Sequence, residues 1–206
     1  MYLATVPDLL KPLFGNDLLW KVDSEEPDIY LTFDDGPVYE ATVPILKILE
    51  QFNVKATFFC VGENVFNNHD LYLDILQRGH LTGNHTYNHL NGWKTPEKVY
   101  SDNVKLCSDL VNSSLFRPPY GRISRSQLFA LKNHYTIVMW TLLAGDFDAK
   151  LQKEKCLERL ITNLKPGSII VLHDNLKTRE MINFVLPRFL EHALGKSYKF
   201  RTLTLI

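Results

Sequence analysis

Apolar and polar positions along this 206-residue chain alternate between two kinds of segment. Short runs rich in β-branched and aromatic residues read as buried strands: Ile29–Phe33 (IYLTF), Lys55–Cys60 (KATFFC), His80–Asn84 (HLTGN), Leu115–Phe116, Tyr135–Trp140 (YTIVMW), Ser168–Leu172 (SIIVL) and Lys199–Leu205 (KFRTLTL). The third and fourth are weak by composition alone. Between the runs lie helical patterns. Ala41–Phe52 places Ile45, Ile48 and Leu49 on one face, with Pro44 near its first turn. Asp70–Arg78 stops at Gly79. Thr95-Pro96 opens a helix reaching Asn112, and Ser124-x-x-Gln127 has the form of a capping box opening Arg125–Asn133. Lys153–Leu164 ends at Lys-Pro-Gly, and Thr178–Leu194 contains Pro187, where a kink or break is expected. About seven strands alternating with six helices predict a parallel α/β architecture, either an open doubly wound sheet or a barrel.

The polar residues that interrupt this pattern are not scattered. Asp34-Asp35-Gly36-Pro37 follows the first strand, and His85-Thr-Tyr-Asn-His89 follows the third. Arg117-Pro118-Pro119-Tyr120-Gly121 follows the fourth, Asp146 and Asp148 come after the fifth, and His173-Asp174-Asn175 ends the sixth. In a parallel sheet or barrel the carboxyl ends of the strands share one edge, so these five groups converge in space. His85 and His89, four apart, would face one way on a helical turn and could share a metal with a strand-end carboxylate. Two adjacent aspartates at an apolar strand end repel, and a divalent cation offsets that repulsion, leaving one as ligand and the other as base. His173, facing such a site, is a natural proton donor. Two histidines and a carboxylate also suit an iron oxygenase, but that chemistry has no need of a neighbouring base and acid.

Composition narrows the function further. Basic and acidic residues balance at 23 each, which argues against binding nucleic acid through phosphate neutralisation. No run approaches the ~18 apolar residues of a membrane span. Cys60, Cys107 and Cys156 form no C-x-x-C pair and read as buried thiols. Residues 1–28 lack the basic-then-apolar pattern of a signal peptide, so a cytoplasmic chain is expected. They are expected to form a strap packing Leu9, Leu10, Leu13, Phe14 and Trp20 onto a single domain over residues 29–206.

The motifs TFDDGP (Thr32–Pro37), HTYNH (His85–His89), RPPYG (Arg117–Gly121), the stretch from Trp140 to Asp146, and VLH (Val171–His173) together resemble the polysaccharide deacetylase family, the NodB homology domain of carbohydrate esterase family four. The resemblance implies a distorted, incomplete parallel (β/α) barrel of about seven strands. It also implies a hydrolase that removes N-acetyl groups from N-acetylglucosamine-containing glycans, using one divalent metal, zinc before cobalt, nickel or manganese. By the same resemblance Asp34 is the base, Asp35, His85 and His89 are the metal ligands, and Arg117 holds Asp34. The Tyr120 N–H stabilises the oxyanion, His173 is the acid, and Asp146 orients it. Pro118, Tyr120, Trp140 and Val171 contact substrate. One position departs from the family pattern: Phe147 stands where the family usually carries a tryptophan. Exposed aromatics Tyr87, Trp93 and Tyr120 are candidates for stacking on sugar rings, with packing an equal reading for Trp93. A hydrolase of a non-sugar amide or imide, an O-acetyl esterase, and a non-catalytic glycan- or metal-binding module remain as alternatives.

Overall fold

The apolar run at Ile29 forms the central strand of the computed structural model, which describes residues 17–204. In chain order the described elements are β1 (Leu18–Leu19), β2 (Asp28–Asp34), α1 (Tyr39–Gln51), β3 (Thr57–Cys60), α2 (Gly62–Asn67), α3 (His69–Gln77), β4 (Leu81–Asn84) and α4 (Glu97–Ser108). There follow β5 (Leu115–Phe116), α5 (Arg125–Leu131), β6 (Thr136–Val138), β7 (Leu142–Leu143), α6 (Lys153–Asn163), β8 (Ile169–His173), α7 (Arg179–Gly195) and β9 (Lys199–Arg201). The strands pair in parallel in the order β1-β6-β5-β4-β3-β2-β8-β7, with β9 also on β2. The sheet curls into a half-barrel, and among the described residues its end strands β1 and β7 do not pair with one another.

Strand alternation sorts the side chains between two layers. Ile29, Leu31 and Phe33 of β2 join Ile170 and Leu172 of β8 in the outer core. There they meet Ile45, Leu46 and Leu49 of α1 and Val185, Leu186 and Phe189 of α7. Tyr30 and Ile169 instead join Phe59, Leu115 and Val138 inside the curl. By the same parity Thr32 and Asp34 of β2, and Val171 and His173 of β8, belong to the inner face, and the register sets Asp34 beside His173. Gly83 in β4 lacks a side chain because the Phe59 ring fills its place: a Cβ there would lie 2.6 Å from two ring carbons.

Several elements differ from the sequence expectation. The two-residue strands β1 and β7, and the six-residue helix α2, are too short to show a period. The Tyr135–Trp140 run pairs only over Thr136–Val138, so Trp140 lies outside the strand. Asp146 therefore follows β7, which pairs with β8, rather than the fifth strand foreseen from sequence. The helix after Pro96 ends at Ser108, short of Asn112. Helix α7 continues unbroken through Pro187. The carbonyl that loses its partner there, on Asn183, belongs to an exposed residue, so it is not an unpaired acceptor in the core. Of the expected strap, Leu9, Leu10, Leu13 and Phe14 lie outside the described residues, while Trp20 is buried against Leu18, Ile137 and Met139. Among the described residues no helix is long and apolar enough to cross a membrane.

Candidate active site

The carboxyl ends of β2, β4, β5 and β8 bring the polar motifs together by register. Asn84 pairs with Phe116, so the chain leaves β4 and β5 side by side at His85 and Arg117. Asp34 pairs with His173 on the opposite neighbour. Backbone bonds tighten both exits, from Arg117 N to Asn84 O at 3.0 Å and from Asp174 N to Asp34 O at 3.0 Å.

Arg117 is fully buried and reaches across the inside of the curl. Its Nη1 donates to Asp34 Oδ1 and to Thr32 Oγ1, both at 2.7 Å, and its Nη2 donates to Met139 O at 3.0 Å. The guanidinium lies over the Phe59 ring, 4.1 Å from its centroid. A carboxylate buried at this depth requires such a partner, since an unpaired charge there would be several kcal/mol too costly. The Arg117 carbonyl meanwhile accepts from His85 Nδ1 at 2.7 Å. That bond assigns the proton to Nδ1 and turns the Nε2 lone pair inward.

Asp35 follows in a left-handed conformation (φ 87°), which swings its carboxylate out of the strand line toward the histidines. Its Oδ1 lies 3.7 Å from His85 Nε2 and 3.1 Å from His89 Nε2. Oδ2 accepts from Asn175 Nδ2 at 2.7 Å, and the main-chain oxygen accepts from Asn64 Nδ2 at 2.7 Å. The three donor groups lie within 4.8 Å of one another. The two histidines do not share a helical turn. They converge through a loop with positive φ at Thr86 and His89, and their ring centroids are 5.1 Å apart.

This donor set fits a divalent cation. Burial, only partly opposed by the Asp34 charge, lowers the His85 pKa to about 4, so that its ring is neutral at pH 7. A neutral Nε2 and a carboxylate oxygen facing each other at 3.7 Å are two acceptors without a proton between them. Two ligands of one tetrahedral zinc, at ~2.1 Å each, stand about 3.4 Å apart, which the two observed separations bracket. Burial tends to raise the Asp35 carboxyl, but the hydrogen bond from His89 and the charges of His173, His85 and His89 hold it well below the usual carboxylate range. It is an anion at neutral pH.

On the far side of Asp34, His173 Nδ1 is paired with Asp146 Oδ1 at 2.9 Å, while Asp146 Oδ2 accepts the His173 backbone N–H at 2.8 Å. Burial lowers the His173 pKa, yet the charge and hydrogen bond of Asp146, with Asp35 and Asp34 behind, raise it to about 10. The imidazole is thus protonated at neutral pH and its Nε2–H is the remaining donor. The Phe147 ring stands edge-on to His173 at 5.2 Å. Tyr120, left-handed at φ 61°, sets its ring 4.6 Å from that of His89. Trp140 is half-buried and packs on Gly121, where a Cβ would approach its ring to 2.5 Å. Pro118 and Val171 are buried.

Three residues that the sequence places in these motifs without a role prove to be supports. Thr32 sits inside the TFDDGP run but reads as an ordinary strand residue, and Asn175 is a single amide after a strand. Asp174 is buried and accepts from Gly36 N at 2.9 Å and Thr42 Oγ1 at 2.7 Å, fastening the turn after Asp35 to the end of β8. Burial raises its pKa to about 8. Asp148, by contrast, accepts the Lys150 N–H in the turn before α6.

The polysaccharide deacetylase family model matches residues 21–136, more than half of the chain. A peptidoglycan-N-acetylglucosamine deacetylase of Bacillus cereus is 37% identical over 153 residues, covering 71% of this chain and 55% of the relative. The chain therefore spans little more than half of that relative's length. A second B. cereus protein of the same name is 32% identical over 192 residues, covering 90% of each chain. The crystal structure of the Bc1960 peptidoglycan N-acetylglucosamine deacetylase, in complex with 4-naphthalen-1-yl-N-oxidanyl-benzamide, superimposes with a TM-score of 0.88 at 30% identity, over 96% of this chain and 95% of that one. These last two matches extend past β6, where the family model stops, over the part of the chain that carries Asp146 and His173. By sequence match, fold and motif order together, the chain belongs to the polysaccharide deacetylase family of carbohydrate-deacetylating hydrolases.

Proposed function

We propose that this chain hydrolyses the N-acetyl group of N-acetylglucosamine units in a glycan, with zinc held by Asp35, His85 and His89. The observation that carries the residue roles is the placement of Asp34 and His173 in register on neighbouring strands, each held by a buried partner of opposite charge. A module that only binds glycan or metal has no use for an opposed base and acid.

A divalent cation bound to the three ligands supplies Lewis acidity, acidifying a water and polarising the acetyl carbonyl. Asp34, fixed by Arg117 and unable to turn away, takes the proton from the attacking water. The water oxygen bonds to the acetyl carbon, and the negative charge that develops on the carbonyl oxygen is met by the Tyr120 N–H. Protonated His173 then gives its Nε2 proton to the amide nitrogen as the C–N bond breaks, releasing acetate and the free amine. Asp146 keeps that proton on His173 until it is needed. Val171, Trp140 and Pro118 form the apolar wall for the acetyl methyl.

Acetate release from chitooligosaccharide, peptidoglycan fragments, an O-acetyl ester and a simple aliphatic amide, by zinc-reconstituted and chelated protein, tests this reading. Release from an N-acetylated glycan that is lost on chelation and restored by zinc is expected. Full activity without metal, or turnover of the aliphatic amide alone, would overturn it.

A further inference from the structure

Beside the candidate active site is a built feature that the hydrolytic chemistry does not use. Trp93 is 66% exposed, an unusual position for so large an apolar ring, and it is held in place. Its indole N–H donates to Ile123 O at 3.2 Å, and its backbone N–H donates to the Asn91 side chain at 3.1 Å. The Arg122 guanidinium lies 5.2 Å from the Trp93 ring and 6.0 Å from the Tyr120 ring, and Tyr120 in turn contacts His89. Beneath this row Gln127, itself 1% exposed, ties the two supporting loops together. It accepts from Ser124 N and donates to Gly92 O and Thr95 O, all at 2.9 Å. Gly92 permits the closeness, since a Cβ there would fall 2.3 Å from Arg122 O.

A buried amide with every bond satisfied thus holds an aromatic face and a cation rigid at the surface. Among the described residues neither Arg122 nor Lys94, which follows Trp93 in the chain, forms an ion pair, whereas Lys98 at the start of α4 pairs with Asp102. The row leads away from the ligand His89 in steps about the size of a sugar ring.

We propose that Trp93, Arg122 and Lys94 form a subsite for a neighbouring sugar of the glycan, one that carries a carboxylate substituent. The ring's apolar face stacks on Trp93, and the carboxylate meets the guanidinium edge left open by its stacking. The class of ligand rests on the deacetylase reading above, and the choice of an acidic glycan over neutral chitin rests on the unpaired cations.

Two tetrasaccharides test the subsite: a neutral N-acetylglucosamine oligomer, and one alternating N-acetylglucosamine with N-acetylmuramic acid, whose lactyl ethers are free carboxylates. Affinity is measured by calorimetry on the zinc-loaded protein, and kcat/KM by acetate release. Arg122→Gln is expected to lower the ratio of acidic to neutral affinity about five-fold, the size of one partly exposed ion pair. Trp93→Ala is expected to weaken both oligomers about five-fold through KM, with kcat and the unfolding temperature little changed. An unaltered acidic-to-neutral ratio in Arg122→Gln, or equal affinity of Trp93→Ala and the parent for both sugars, would overturn the subsite. If acetate is released from neither oligomer while the affinity ratios shift as described, the subsite stands and the catalytic reading fails.

Discussion

Arg117 serves both halves of the site at once, its guanidinium on Asp34 and its carbonyl on His85. Changes at these residues should therefore separate chemistry from metal binding. Asp34→Asn is expected to keep the cation while kcat falls at least about 100-fold, whereas His85→Ala loses both, as metal analysis and acetate release will show. Asn175 donates to Asp35 Oδ2, while Oδ1 is the oxygen nearest the two histidine Nε2 atoms and would be the one to meet a cation held with them. Asn175→Ala should weaken zinc about 10–100-fold in chelator competition, the usual cost of losing a group that orients a ligand. Asp146 governs a pH effect. The folded pKa of His173 is raised to about 10, so its contribution to stability is complete below its unfolded value of ~6.5 and is lost as pH rises through about 10. In Asp146→Asn the largest offset to burial is lost, Asp35 and Asp34 remaining, and the alkaline limb of the kcat/KM profile should move to lower pH by at least about one unit. These pairings were only partly legible. Paired aspartates and paired histidines at strand ends stand out, but a lone Asn175 or Thr32 carries no pattern until the fold sets it against a carboxylate.

At the scale of elements, the strands that carry the site are short and depend on their neighbours. β4 has the composition LTGN, weak as a strand by itself, and is held between β3 and β5 with Gly83 under the Phe59 ring. Gly83→Ala adds a methyl where no room exists and is expected to cost about 1–3 kcal/mol in urea unfolding. Because β4 leads directly to His85, the same variant should also weaken zinc. The long helices were legible because apolar periodicity over three or more turns is hard to produce by chance. The expectation that His85 and His89 lie on one helical turn failed for the opposite reason. Spacing of four is common to helices and loops, and here the left-handed Thr86 and His89 bend the chain instead.

For the molecule as a whole, the three proposed ligands, drawn from two strand exits, would couple metal binding to folding. An unfolded chain does not hold Asp35, His85 and His89 within 4.8 Å, so zinc at 100 times its Kd should stabilise the fold by about 2.7 kcal/mol. Thermal unfolding with and without a chelator measures this, and an unchanged midpoint would contradict the ligand set. The curl of the sheet matters equally. It turns the inner faces of β2 and β8 toward Arg117 from β5, so that Asp34 is neutralised by a residue 83 positions away.

The sequence alone determined the alternation of strand and helix, the edge on which the chemistry collects, and the motif order that marks the family. These are local properties, written in periods of two and 3.6 residues and in short polar interruptions. The tertiary structure alone decided which strand precedes Asp146, how the histidines converge, and that Asn175, Asp174 and Gln127 are bracing residues. Each of those depends on register between distant strands or on space left by a neighbour, and neither is encoded in any one segment of the chain.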